Sequence, residues 1–163
     1  MTLRPGTILA SAPAMDDPKF KEAVLYVTEV NARGAIAFVI NKMFERNFND
    51  LLEFRHSRSV PLFSGGPVDK ESLFFIHRRP DLVGNGRQVR EDIHVGGEFA
   101  EAVKHINNKN LPEGEFKLFV GYCGWDPGEL EVEITEGSWL VVDDDSVNPF
   151  DWDMNGAWEA LAH

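Results

Sequence analysis

A chain of 163 residues suits one domain with its own core, and 43% hydrophobic with 26% charged residues is a globular composition that excludes general disorder. Sixteen basic against 27 acidic residues give a net charge of -11, which repels nucleic acid and anionic lipid at long range. One cysteine, Cys123, excludes an intramolecular disulfide and suits a reducing cytoplasm, and no apolar run reaches the length of a membrane span.

In chain order, Met1 to Ala14 has one arginine and no long apolar core, so it does not read as a secretion signal. Gly6 to Ala12 reads as a first strand. Asp17-Pro18 opens a single helical turn, with Asp as cap and Pro at the first helical position. Ala23 to Glu29 and Ala35 to Ile40 read as strands joined by a turn over Asn31 to Gly34, a hairpin whose second strand is apolar on both faces. Phe48, Leu51 and Leu52 are spaced for one helix face, with Asn47 or Asn49 as cap. Pro61-Leu62-Phe63 leads into a turn at Gly65-Gly66-Pro67, and Leu73 to His77 is a further strand. Arg79 to Arg90, with Pro80, Gly84 and Gly86, reads as a loop or short hairpin.

The clearest helix covers Glu98 to Asn107, because Phe99, Ala102, Val103 and Ile106 fall on one face. Phe116 to Tyr122 is a strand. Asp126 to Gly137 satisfies two patterns. Leu130, Val132 and Ile134 alternate with glutamates as in a strand, yet Asp126-Pro127-Gly128-Glu129 is a helix start and Gly137 a helix stop; helix is the reading taken. Trp139 to Val142 is a strand ended by Asp143-Asp144-Asp145, and Trp158 with Leu161 forms a last helical turn. No repeat, linker or low-complexity tract interrupts residues 1–163. Irregular interleaving of strands and helices favours an α+β fold, one compact domain on a mixed sheet with a few flanking helices.

The charge is uneven. Lys42 to Arg90 holds nine basic and six acidic residues, whereas Glu113 to His163 holds thirteen acidic residues and Lys117 alone as a base. A local basic face in the middle of the chain is therefore compatible with the acidic total.

Five segments together resemble one family. They are Gly6 to Pro13; Asp17-Pro18-Lys19-Phe20; Gly34 to Lys42; Gly65-Gly66-Pro67-Val68 with Phe74-Phe75-Ile76-His77; and Gly121-Tyr122-Cys123-Gly124-Trp125 running into Gly128 to Ile134. In this order and spacing the chain resembles the YqgE/AlgH family, and Trp158 extends the likeness. The resemblance implies a compact α+β fold with a mixed, partly barrel-like sheet, and a bacterial cytoplasmic protein. It implies no established activity, although the family is also known as putative transcriptional regulators. The chain departs from the family pattern at Val30, Met43, Cys123 and Glu129. Where Cys123 stands, Ala or Ser is usual, which weakens any mechanism that needs a thiol there.

Cys123 and His77 are the residues a nucleophile and base would use; with Ala tolerated at the first position, a small residue packed at a strand end is the better reading. Gly65-Gly66-Pro67 offers backbone N–H groups to an anion but lacks the lysine and spacing of a P-loop. Three consecutive aspartates on a strand alternate faces and do not converge on a cation. The histidines, His56, His77, His94, His105 and His163, show no zinc spacing, so neither metal nor other cofactor is expected. Arg55, Arg58, Arg78, Arg79, Arg87 and Arg90 carry no helix-turn-helix pattern around them.

The expectation is a binding or regulatory module without catalysis, whose partner is a small ligand or a protein and not nucleic acid or membrane. Its candidate ligand residues are Asn41, Lys42, Gly65, Gly66, Pro67, His77, Tyr122 and Trp125, expected to gather in one pocket because each stands at a strand end or turn. A nucleic-acid-binding regulator and a hydrolase-like enzyme using His77 are the two alternatives.

Overall fold

The computed structural model describes residues 3–143 and 147–162; Asp144 and Asp145 of the aspartate run, and His163, lie outside them. Ten strands and three α-helices are formed among the described residues. The first hairpin joins β2 (Val24–Asn31) to β3 (Gly34–Val39), with β1 (Ile8–Ser11) antiparallel to β2. The expected single turn follows β1: the Lys21 amide donates to Asp17 O, and the Asp17 carboxylate caps the Lys19 amide at 3.0 Å.

Between Met43 and Phe54 the expected helix gives way to a short edge strand, β4 (Met43–Asn47), and two 3-10 turns, Phe48–Asp50 and Leu52–Phe54. The reason is local. Phe48 is fully buried, whereas Leu52 is 77% exposed, so the apolar spacing does not define one buried face. The extended backbone of Leu51 breaks the helix between them. Pro61–Ser64 is β5, and β6 extends over Val68–His77, five residues earlier than its apolar half. The short hairpin is displaced toward the chain end, as β7 (Arg87–Arg90) and β8 (Ile93–Val95).

Helix α1 (Phe99–Asn107) buries Ala102 and Ile106 as its period requires, and β9 (Phe116–Trp125) follows. Over the ambiguous segment the chain is helical, as α2 (Glu129–Thr135). Its N-cap is Gly128 in the left-handed region, and Glu129 reaches back to the Asp126 amide. Gly137, φ 86°, closes it. β10 (Trp139–Val142) and α3 (Ala157–Ala162) complete the chain.

The sheet runs β10-β1-β2-β3-β9-β6-β8-β7 and is not closed into a barrel. It is mixed because β5 lies parallel to β9. Strand β9 is the pivot. On one edge it pairs with β6 along nearly its whole length; on the other it pairs first with β5, at Leu118 to Val120, and then with β3, at Cys123 to Trp125. The sheet curls until its two ends meet: Ile8 and Tyr26 share one apolar cluster with Val89 and Ile93, and Arg87 pairs with Glu29. Leu25, Val39 and Trp139 pack on the outer face of the first hairpin under α2, and α1 covers Phe75, Leu118 and Phe48. The first hairpin is thus apolar on both faces, as its sequence requires.

Candidate functional site

At the handover from β5 to β3 along the edge of β9, the turn Gly65-Gly66-Pro67 fills the gap. The Gly65 amide donates to Val120 O at 2.8 Å, while Gly65 O accepts from the Val39 amide at 2.9 Å and the Cys123 thiol at 3.4 Å. A Cβ on Gly65 would lie 2.5 Å from Gly121 O, and one on Gly66 2.2 Å from Tyr122 O. The glycines are needed because two backbones touch, a stricter demand than a turn angle alone.

A cleft of about 210 Å³ opens over this junction, lined by Pro18, Lys19, Val39, Lys42, Ser64, Gly66, Pro67 and Lys70. The neighbouring Asn41 shapes one wall. Its carboxamide accepts from the Val24 amide and donates to Glu22 O, both at 2.9 Å, and Lys42 Nζ donates to Lys21 O at 2.7 Å. These bonds clasp the 17–23 turn onto the end of β3 and bring Lys19 to the rim. Among the described residues, no carboxylate forms an ion pair with Lys19, Lys42 or Lys70.

This cleft is assembled from the second, third and fourth of the segments that carry the sequence resemblance. A family model described as AlgH-like matches residues 8–163. The chain belongs to the AlgH-like family. It is 32% identical to a UPF0301 protein of Chlorobaculum tepidum over 96% of this chain and 83% of that protein. It is also 32% identical to one of Cytophaga hutchinsonii, over 96% and 87%. The solution structure of the AlgH protein from Pseudomonas aeruginosa superposes with a TM-score of 0.72 at 25% identity, covering 97% of this chain and 86% of that one. A crystal structure of a protein from Corynebacterium diphtheriae, 19% identical, gives the same TM-score over 92% and 85% and supports the fold.

The eight family-pattern residues expected to gather do not share one pocket. Lys42, Gly66 and Pro67 line the cleft; Gly65 and Asn41 build the wall behind it. Asn41 itself faces a different, larger hollow bounded by Phe63, Trp152 and Met154. His77 closes the other end of β6, about 20 Å from the turn: β6 bulges between Val68 and Leu73, and its partner span on β9 is only Phe116 to Tyr122, at roughly 3.3 Å per residue. It is fully buried between Phe75 and His94. Its Nδ1 accepts from the Arg79 amide at 3.1 Å, so its Nε2 proton donates to Gly96 O at 3.2 Å. Burial holds its pKa below the ordinary histidine value.

Tyr122 packs edge-on against Phe74 in the inner core. Trp125 stacks on Phe20 and donates to Glu133 at 3.1 Å. Cys123 is buried, burial pushes its thiol up to about 12, and its place on β9 is opposite Ala37 while His77 is opposite Phe116. The two are therefore not paired as nucleophile and base. No group of three or more His, Cys, Asp or Glu among the described residues could hold a metal ion, and no helix among them is long and apolar enough to cross a membrane.

Sequence reasoning missed Lys19, Ser64 and Lys70. Lys19 sits inside a family segment, and that was the available signal. Lys70 lies on the exposed early half of β6, where nothing in the pattern marks a site.

Proposed function

We propose that this protein is a non-enzymatic binding module of the cytoplasm whose cleft takes a small anionic ligand. The observation that supports this is the meeting of Lys19, Lys42 and Lys70 without carboxylate partners in a chain of net charge -11. Like charges repel, so three uncompensated ammonium groups around one hollow raise the local potential and favour an anion there. Ser64 adds a hydroxyl, and Val39 with Pro18 and Pro67 gives the hollow an apolar lining. The walls are rigid, because Gly65, Asn41 and Lys42 are each held by backbone hydrogen bonds. Nothing in the cleft is an activated nucleophile, which favours binding over turnover.

Isothermal titration with inorganic phosphate and pyrophosphate tests the reading. Saturable, salt-sensitive binding that is lost in Lys19→Ala with Lys70→Ala, while the thermal midpoint holds, is expected. Binding that persists in the double variant, or no saturation at low millimolar anion, rules this cleft out as the site.

A further inference from the structure

The two ends of the curled sheet leave a second opening, of about 260 Å³, on another side of the inner core. Ile8 and Tyr26 line it from β1 and β2; Arg78 just after β6, Arg90 on β7, Glu91 and Ile93 line it from the opposite side, and Val147 closes it. Tyr26 is 2% exposed, and its hydroxyl has no hydrogen-bond partner among the described residues. A buried donor left unanswered carries its full desolvation penalty, a larger effect than the net gain of a typical hydrogen bond. Burial pushes the phenol up to about 12, so at neutral pH it is a donor; the charges of Arg90 and Arg78 oppose that shift, and those of Glu91 and Asp92 add less to it.

The two arginines are held differently. Arg78 is committed: it donates to Asp92 at 2.8 Å and lies over the Phe150 ring at 4.5 Å. Arg90 has only a 3.7 Å contact from Nε to the Glu91 carboxylate, with both side chains well exposed. Such a pair contributes little and yields readily to a better acceptor. A Cβ on Gly6 would meet the Arg90 stem at 2.6 Å, so glycine there is what lets this side chain cross the opening.

We propose that this opening is a binding site for a small monocarboxylate with an apolar body, whose carboxylate replaces Glu91 on Arg90 and accepts the hydrogen bond of Tyr26. The aliphatic walls take the body and the planar guanidinium takes the carboxylate. The Tyr26 hydroxyl is closed from solvent as the chain stands, so a lining side chain shifts as the anion enters, and Arg90, exposed and held by one long contact, is placed to do so while keeping hold of the carboxylate. The site is separate from the lysine cleft and does not depend on it.

Benzoate is the probe, followed by chemical shift perturbation and titration calorimetry. Tyr26→Phe is the decisive variant, because it removes an unanswered buried donor and leaves the ring. Its thermal midpoint should equal or exceed that of the parent, while benzoate affinity falls about tenfold or more, the scale of one hydrogen bond to a charged group. Arg90→Ala should weaken benzoate likewise, and Lys42→Ala should leave it unchanged. The proposal is overturned by the absence of saturable binding, by unaltered affinity in Tyr26→Phe, or by loss of benzoate binding in Lys42→Ala.

Discussion

An ammonium group is expensive to bury without a carboxylate, yet Lys117 on β9 is fully buried and has none within bonding distance. Its Nζ donates to Ile40 O and Asp151 O, each at 2.7 Å, with Met154 Sδ at 3.6 Å and the Phe63 ring 4.1 Å away. Two carbonyls answer two protons, so the group ties the 150–155 segment to the end of β3 whether or not it carries the third. Burial lowers its pKa to about 7, with the Asp151 carboxylate opposing. The sign of the consequence follows from proton counting. Between pH 7 and 10.5 the unfolded chain keeps a proton on Lys117 that the folded chain has released, so the Lys117 contribution to stability rises with pH across that window, while above about pH 9 the raised Cys123 thiol contributes a fall of opposite sign. Below pH 7 both states are protonated and the cost of the buried charge stands in full. Urea unfolding from pH 7 to 9 should show this rise, and Lys117→Met should flatten it. An equal slope in the two proteins would mean that Lys117 keeps its proton through the window.

At the scale of elements, α2 is fixed by one side chain. Glu133 accepts from Trp125 Nε1 at 3.1 Å and from Trp139 Nε1 at 2.9 Å, so a single carboxylate joins β9, α2 and β10. Removing it leaves two largely buried indole donors unanswered, each on the order of 1–3 kcal/mol. Glu133→Ala should therefore cost about 2–6 kcal/mol in denaturant unfolding, whereas the exposed Glu131→Ala should stay within ~0.5 kcal/mol. Equal midpoints for the two would show that the clamp contributes nothing. This clamp also explains what was legible in the sequence. Elements with a local signature could be read: the hairpin of β2 and β3, the apolar face of α1, and α2 with Gly137 at its end. β4 could not, because Met43–Asn47 is mostly exposed and extended only through pairing with β5. Nor could the first half of β6, whose exposed residues carry no alternation. That hidden half explains why Gly66 and His77 looked like neighbours. Read as a turn and a nearby strand they are close; in the fold Gly66 stands just before one end of the ten-residue β6 and His77 at the other. Lys42, Gly66 and Pro67 lie together because a clasp far away in sequence, Asn41 onto Glu22 and Val24, folds the cleft around them.

Across the whole molecule, the curl of the sheet and the distribution of charge bear on the partner together. The basic middle of the chain looked like the one route to a nucleic-acid surface. In the fold six of its seven arginines are spent singly, and Arg46 on the exposed strand β4 is the exception, with no ion pair among the described residues. Arg78 is paired with Asp92, Arg79 with Asp81 and Glu115, Arg87 with Glu29 and Arg90 with Glu91. Arg55 and Arg58 donate to the carbonyls of Leu52 and Ile106. Apart from the weak Glu91 contact of Arg90, a phosphate backbone would have to displace these partners one by one, against a net charge of -11. Groove recognition finds no better element. Helix α1 turns Ala102 and Ile106 into the core and carries Glu101 in its first turn, leaving Lys104 and His105 as its basic residues. Non-specific affinity for duplex DNA is roughly 10⁻⁴ to 10⁻⁶ M at physiological salt even for proteins that bind it by design. Purified protein is thus expected to show no binding tighter than that range in an anisotropy titration at about 150 mM salt, where charges beyond roughly 8 Å are screened. Sub-micromolar, salt-sensitive binding to a defined sequence would reverse the choice between ligand module and transcriptional regulator, and it would require the paired arginines to be released on contact.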